Sequence, residues 1–227
     1  MLGCEYRPCV KISGYPITMS LELNPGLLRT ATRHLKASDP VIRRLIQSAG
    51  PCKLEAKGRP YRYLMRSVLY QQVSVASAAK TEERVRALGP GQIPAPKKIL
   101  KMPDEKFRKA GLSRQKIAAF RSIASAFDER LVSPRALMKM STTEVIDCVT
   151  QIRGVGEWTA HMLLIFSLGR ADILPTGDYA LVKAVRNLYE LEELPKKAKF
   201  EEIATAWRPY ASVASWYLWR SYDTVDF

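Results

Sequence analysis

Two stretches of this chain combine residue types and spacing that could carry chemistry. The first is Ile152-Arg153-Gly154-Val155-Gly156-Glu157-Trp158-Thr159-Ala160, a Gly-Val-Gly turn that runs directly into a helical pattern. The second is Pro175-Thr176-Gly177-Asp178-Tyr179, which sets one carboxylate twenty residues after Trp158. Glycines on both sides of a β-branched residue permit backbone conformations and close approaches that side chains would block. A helix starting near Gly156 presents amides with no intrahelical acceptor, and its dipole favours an anion there. Such a device holds a phosphate without reporting the base. Asp178 precedes the helical pattern Tyr179, Leu181, Val182, Val185 and so takes an N-cap position. It can be a cap alone, or a cap and a reacting group. Helix amides favour its anionic form in both cases. A fixed carboxylate could stabilise a developing positive charge and could orient or deprotonate an attacking water.

The composition says what such a device would grip. The chain carries 36 Lys plus Arg against 22 Asp plus Glu, a net charge of +14, which implies a polyanionic partner, most plausibly nucleic acid. With 227 residues, 47% of them hydrophobic, it can bury a core as one large domain or as two small ones sharing a cleft. Cys4, Cys9, Cys52 and Cys148 are scattered without a CxxC pair, and the histidines are His34 and His161. That pattern predicts neither a zinc site nor an iron–sulfur cluster, and free thiols in a reducing compartment are its simplest account. No secretory leader is visible at the start of the sequence, and no stretch approaches the roughly 20 apolar residues of a membrane span.

The elements that must position these residues read as helices almost throughout. Asn24-Pro25 and Asp39-Pro40 each open a helix by cap followed by proline, the first running to about residue 35 and the second ending at Gly50. Further helices are expected at 61–72, 75–88, 96–101, 104–110, 114–128, 134–139, 142–151, 156–168, 178–189, 199–206 and 209–221. Gly89-Pro90-Gly91-Gln92-Ile93-Pro94-Ala95-Pro96 is the clearest loop. Residues 1–22 are irregular, with β-like alternation near 10–12 and 17–23. The expected fold is all-α and two-lobed: a core over 23–227, divided into a central lobe over about 60–175, with the hairpin at 150–160, and a second lobe of 23–59 plus 176–227. The active-site cleft is expected between the lobes.

The hairpin run, the Pro-Thr-Gly-Asp segment and Gln71-Gln72-Val73-Ser74-Val75-Ala76-Ser77-Ala78-Ala79-Lys80 occur in one order. Together they resemble the helix-hairpin-helix DNA glycosylase superfamily. The likeness is strongest to the alkylpurine (3-methyladenine) DNA glycosylases of the bacterial inducible type and their fungal relatives, and it spans about residues 40 to 222. It implies base-excision repair by a monofunctional glycosylase that flips out an alkylated purine (3-methyladenine, 7-methylguanine), hydrolyses its glycosidic bond and leaves an abasic site.

By that resemblance Asp178 is the catalytic carboxylate, and Arg153, Gly154, Val155, Gly156 and Thr159 form the DNA-binding hairpin. Trp158 and Trp219 match pocket tryptophans, suited to a cationic base, and Met162 replaces an aromatic residue common in the bacterial relatives. Core packing is the competing account of the two tryptophans. The lyase branch of the superfamily has a lysine where this chain has Trp158, so no Schiff-base chemistry is expected. The gap-filling wedge falls at Gln72 or Ser74, unless that junction is an ordinary polar break between helices. Arg114, Lys116, Arg153 and Lys183 are candidates for the grip.

The resemblance also implies that the carbonyls of Thr150, Ile152 and Val155 hold a monovalent cation (Na+ or K+) that bridges to a DNA phosphate. No other cofactor is expected. The implied partner is double-stranded DNA containing alkylated bases, bound by a monomer with no membrane association, in the nucleoid of a prokaryotic cytoplasm or in a eukaryotic nucleus. Three rivals stand beside this expectation. A non-catalytic helix-hairpin-helix protein that recognises DNA structure would keep the glycines but not need Asp178. A bifunctional glycosylase/lyase would need the absent lysine. A basic helical scaffold for RNA would leave the hairpin and the Pro-Thr-Gly-Asp segment unexplained.

Overall fold

Side-chain caps decide where most helices of this chain begin, and the sequence carries them openly. Asn24, Asp39, Ser74, Ser113, Ser133, Ser141 and Asp178 each accept a backbone N–H from the first turn of the helix that follows. Ser141 and Glu144 complete a reciprocal capping box. A computed structural model describes residues 22–224. Among these the structure is helical, and the sole β pairing is an isolated antiparallel bridge between Glu22 and Arg170. The alternation expected within 1–21 lies outside the described residues.

The chain divides into two compact units. The first runs from Arg59 to Leu163 among the described residues. It holds α3 (Pro60–Tyr70), α4 (Val75–Ala87), α5 (Pro96–Lys101), α6 (Asp104–Lys109), α7 (Arg114–Asp128), α8 (Pro134–Lys139), α9 (Thr142–Thr150) and α10 (Glu157–Phe166) as far as Leu163. Apolar residues at helical spacing on α3 (Leu64, Met65, Val68, Leu69) and α7 (Ile117, Phe120, Ile123, Ala124) are buried, and α7 packs on α3 and α5. Arg121 stitches this core. Its guanidinium donates to the carbonyls of Ile99, Leu100 and Met102 at the end of α5 and pairs with Asp104.

The second unit comprises residues 22–58 and 164–224. It holds α1 (Pro25–Ser38), α2 (Pro40–Ala49), α11 (Tyr179–Leu188), α12 (Lys197–Ala204), a 3-10 turn at Thr205–Trp207 and α13 (Ala211–Thr224). Here α13 packs on α2 and α11, and α1 packs on α2 and the 3-10 turn. Ser212 draws the segment before Asp178 onto the start of α13. Its hydroxyl donates to the Arg170 carbonyl at 2.7 Å and accepts the Ile173 N–H at 2.9 Å.

The helices match the sequence expectation to within a few residues: α3 ends at Tyr70 rather than 72, α10 ends at Phe166 rather than 168, α12 begins at Lys197 rather than 199, and the final helix runs on to Thr224. α1 continues to Ser38, the final helix starts at Ala211 rather than 209, and the helix expected to reach 206 tightens into the 3-10 turn after Ala204. Cys52 is a free thiol, pushed up to about 11 by burial. Cys148 is disulfide-bonded, so the expectation of free thiols fails there. No described helix is long and apolar enough to cross a membrane.

Candidate functional site

The carboxylate lies in the second unit. Asp178 is 8% exposed and sits at the N-cap of α11. Its Oδ1 accepts the Leu181 N–H at 2.9 Å and the Trp219 indole N–H at 3.2 Å. A turn from Pro175, closed by the Asp178 N–H on the Pro175 carbonyl at 2.9 Å, delivers it there. Trp219 is held in turn by Phe166, with ring centroids 5.5 Å apart. The indole is thus a hydrogen-bond partner of the carboxylate as well as an aromatic face. Tyr222, one turn beyond Trp219 on α13, donates to the Ala180 carbonyl at 2.7 Å. Burial, then the negative charge of Asp178, pushes its phenol above the ordinary tyrosine value. Sequence reasoning missed Tyr222, although the Trp219-x-x-Tyr222 spacing puts both residues on one face of a helix.

The hairpin lies in the first unit, and its two glycines play different parts. Gly154 has φ +87°, and a Cβ there would come within 2.5 Å of the Ala119 Cβ on α7. Both the backbone conformation and the packing demand glycine. Gly156 has no atom within 4 Å of the place a Cβ would fill. Nothing among the described residues requires glycine there, and beside the start of α10 they leave space in which an external group could approach the backbone. Ile152 and Val155 are buried and anchor the turn, and the Val155 N–H closes it on the Ile152 carbonyl at 3.0 Å. Arg153 is exposed, while its backbone N–H donates to the Ser122 hydroxyl at 3.2 Å. Thr159 is buried, Trp158 is 40% exposed in the first turn of α10, and Met162 is buried one turn further on.

The wedge candidates stand on the turn between α3 and α4. Gln72 is exposed with φ +55°, and Val73 beside it is 44% exposed. The Ser74 hydroxyl serves as the cap of α4, accepting the Ser77 N–H at 3.3 Å. Lys116, a candidate for the grip, donates one ammonium N–H to the Leu69 carbonyl at the end of α3, at 2.8 Å. Its pKa is lowered by burial. Arg114 and Lys183 are exposed. Among the described residues no group of three His, Cys, Asp or Glu is placed to hold a metal ion. The carbonyls of Thr150, Ile152 and Val155 are hard oxygen donors of the kind an alkali cation takes. That of Ile152 already accepts one N–H and keeps a second lone pair.

Comparison with known proteins gives this geometry its context. A family model described as HhH-GPD superfamily base excision DNA repair protein matches residues 65–209. The chain is 32% identical over 219 residues to a Schizosaccharomyces pombe protein named DNA-3-methyladenine glycosylase 1, covering 93% of this chain and 96% of that one. A second S. pombe protein, named alkylbase DNA glycosidase-like protein mag2, is 28% identical over 197 residues, covering 85% and 92%. The solved structure of the S. pombe 3-methyladenine DNA glycosylase in complex with abasic DNA matches with a TM-score of 0.79 and 33% identity, over 87% of this chain and 98% of that one.

Proposed function

We propose that this chain, which belongs to the HhH-GPD superfamily of base excision DNA repair proteins, is a monofunctional DNA glycosylase that removes alkylated purines from double-stranded DNA. 3-Methyladenine is its first substrate and 7-methylguanine a second. The observation that carries this is the near end-to-end likeness to the S. pombe glycosylase, which takes in the Asp178 segment as well as the hairpin. A DNA-structure-binding module would need only the latter.

The chemistry follows from the base. Alkylation at N3 or N7 leaves a purine cation, so the base departs neutral with the bonding electrons and needs no general acid. The sugar then carries oxocarbenium charge. Asp178 supplies a fixed carboxylate whose orientation is set by the Leu181 N–H and the Trp219 indole, and therefore needs little reorganisation as that charge develops. Water adds to C1′ and loses a proton, for which the same carboxylate is the candidate acceptor. The products are the free base and an abasic site. A tryptophan at 158, where the lyase branch has its lysine, supports hydrolysis without a covalent enzyme–sugar intermediate.

The hairpin's part is to bind backbone phosphate through the amides at the start of α10 and the open space at Gly156. The carbonyls of Thr150, Ile152 and Val155 are the candidate holders of a monovalent cation, whose charge would assist phosphate binding. Trp158 and Trp219 are the aromatic candidates for recognising the cationic base. The site of action is wherever the DNA is, nucleoid or nucleus.

The test is release of free base from methylated duplex DNA. Wild-type protein is expected to liberate 3-methyladenine without strand cleavage, and borohydride is expected to trap no covalent adduct. Tight binding to methylated DNA without base release would instead favour a non-catalytic DNA-binding protein, and a trapped adduct would reveal a lyase.

A further inference from the structure

The turn between α3 and α4 is held from three sides, and one of those holds reaches the hairpin. On the α3 side, Lys116 caps the Leu69 carbonyl. Across the turn, the buried Glu82 of α4 accepts from Arg66 at 3.0 Å and from the Tyr70 hydroxyl at 2.8 Å, and pairs with Arg86 at 2.9 Å. From the turn itself, the Gln71 side-chain amide donates to the Gly154 carbonyl at 3.0 Å and lies 3.4 Å from the Thr159 hydroxyl. A carbonyl oxygen can only accept, so the group of Gln71 that faces Gly154 is its NH2. These bonds span 83 and 88 residues of sequence.

What they hold is an unfavourable conformation. Gln72 is left-handed without being glycine, which persists only where the surroundings over-determine it. Beyond it Val73 projects 44% exposed. The outcome is an outward-facing polar and apolar tip at a fixed offset from the phosphate-binding turn.

We propose that Gln71 is a positioning residue. It registers the gap-filling tip Gln72-Val73 against the Gly154 turn, so that gripping the backbone and filling the space left by a missing or flipped nucleotide occur as one event. This rests on the proposed function, since it takes the tip to enter DNA. Without the Gln71 amide the hairpin still binds phosphate through the start of α10. The tip, however, is no longer set in advance and must be ordered on binding, which weakens gapped DNA selectively.

The experiment uses the full chain and two duplexes that undergo no excision, one undamaged and one carrying a single tetrahydrofuran abasic analogue. Gln71→Met keeps the size and removes the donor. It is expected to lower the preference for the abasic duplex about tenfold, the worth of one to two hydrogen bonds. Affinity for undamaged DNA should stay at its wild-type value, and the melting temperature should fall by no more than about 5 °C. In a Gln72→Ala background the same substitution is expected to change the preference by less than about twofold, because the two residues act as one unit.

Equal weakening on both duplexes, an unchanged preference, or a full tenfold loss persisting in the Gln72→Ala background would each overturn the proposal. So would a wild type that shows no preference. Base release from methylated DNA is scored separately. A wild type that prefers the abasic duplex yet releases no base would refute the glycosylase assignment and leave the role of Gln71 to the binding data.

Discussion

Asp39 and Asp178 belong to the same unit, cap helices in the same way and each accept a tryptophan indole N–H, yet their other neighbours differ. Asp39 is 4% exposed and uses both oxygens. Oδ1 takes the Val41 and Ile42 amides at 2.8 and 3.1 Å, and Oδ2 takes the Tyr189 hydroxyl and the Trp207 indole at 2.5 and 2.8 Å. Those partners tie the start of α2 to the end of α11 and to the 3-10 turn before α13, so Asp39 is a joint. Asp178 gathers its cap amide and its indole on Oδ1, at the end of an irregular Pro-Thr-Gly turn, with the exposed Tyr179 and the half-exposed Tyr222 beside it. The lesson is that an N-cap aspartate is a generic device. Its neighbours decide which parts of the fold the carboxylate joins, and in the proposed function those of Asp178 set its orientation.

Exchanging the carboxylates one at a time would break this contrast if it is wrong. Asp178→Asn keeps a capping side chain and is expected to leave the melting temperature nearly unchanged. It should lower the single-turnover rate of base release by about a thousandfold, the scale of losing a preorganised electrostatic partner. A large stability loss with full activity would make Asp178 a second Asp39. The converse change, Asp39→Ala, removes a cap and strands the buried Trp207 indole N–H and the part-buried Tyr189 hydroxyl. A loss of about 4 kcal/mol in urea unfolding is expected, with the release rate per folded molecule intact.

The two hairpin glycines offer the same kind of test in the other unit. Gly154→Ala must accommodate both the left-handed backbone and the 2.5 Å approach to Ala119, and should cost about 2 kcal/mol of stability. Gly156→Ala meets nothing among the described residues. It should fold normally and lose DNA affinity several-fold, about what is lost when a phosphate contact lengthens. If the two variants exchange behaviours, the assignment of Gly154 to packing and Gly156 to phosphate is overturned.

Smaller effects sharpen the contrast between the indoles. Trp219→Phe keeps the ring against Phe166 but removes the donor to Asp178. Base release should slow by about tenfold, the equivalent of one charge-assisted hydrogen bond. An unchanged rate would show that the indole N–H does not orient the carboxylate.

The smallest expected effect is a pH slope. Burial, then the hydrogen bond to Asp39, raises the Tyr189 pKa above its ordinary 10.0. The unfolded chain therefore loses this proton first. The stabilisation is complete below pH 10 and is lost as pH rises further toward the folded value. Tyr189→Phe should flatten the fall in stability above pH 10 by up to about 1.4 kcal/mol per pH unit. An unaltered slope would remove Tyr189 from the Asp39 joint.

Much of this was legible in the chain itself. Cap residues, Asx-Pro starts and 3.6-residue periodicity are local properties, and they located the helices to within a few residues. The Gly-Val-Gly and Pro-Thr-Gly-Asp runs, with the basic charge, pointed to DNA and to one carboxylate. Partnerships were not legible. Lys116 reads as a surface cation, and its bond to the Leu69 carbonyl was not anticipated. The capping bond of the Ser74 hydroxyl to the Ser77 N–H was likewise not anticipated. Gln71, passed over beside Gln72, reaches the hairpin 83 residues away. Gly154 and Gly156 read alike, and only the nearness of Ala119 separates them.

The sequence alone determined the helical class, the hairpin and the candidate carboxylate, because periodicity, capping and conformational freedom act over a few neighbouring residues. Only the tertiary structure decided which aspartate is a joint, which glycine is packed and which glutamine is a latch. Each of those follows from atoms brought together across tens of residues, and long-range packing leaves no local signature in the chain.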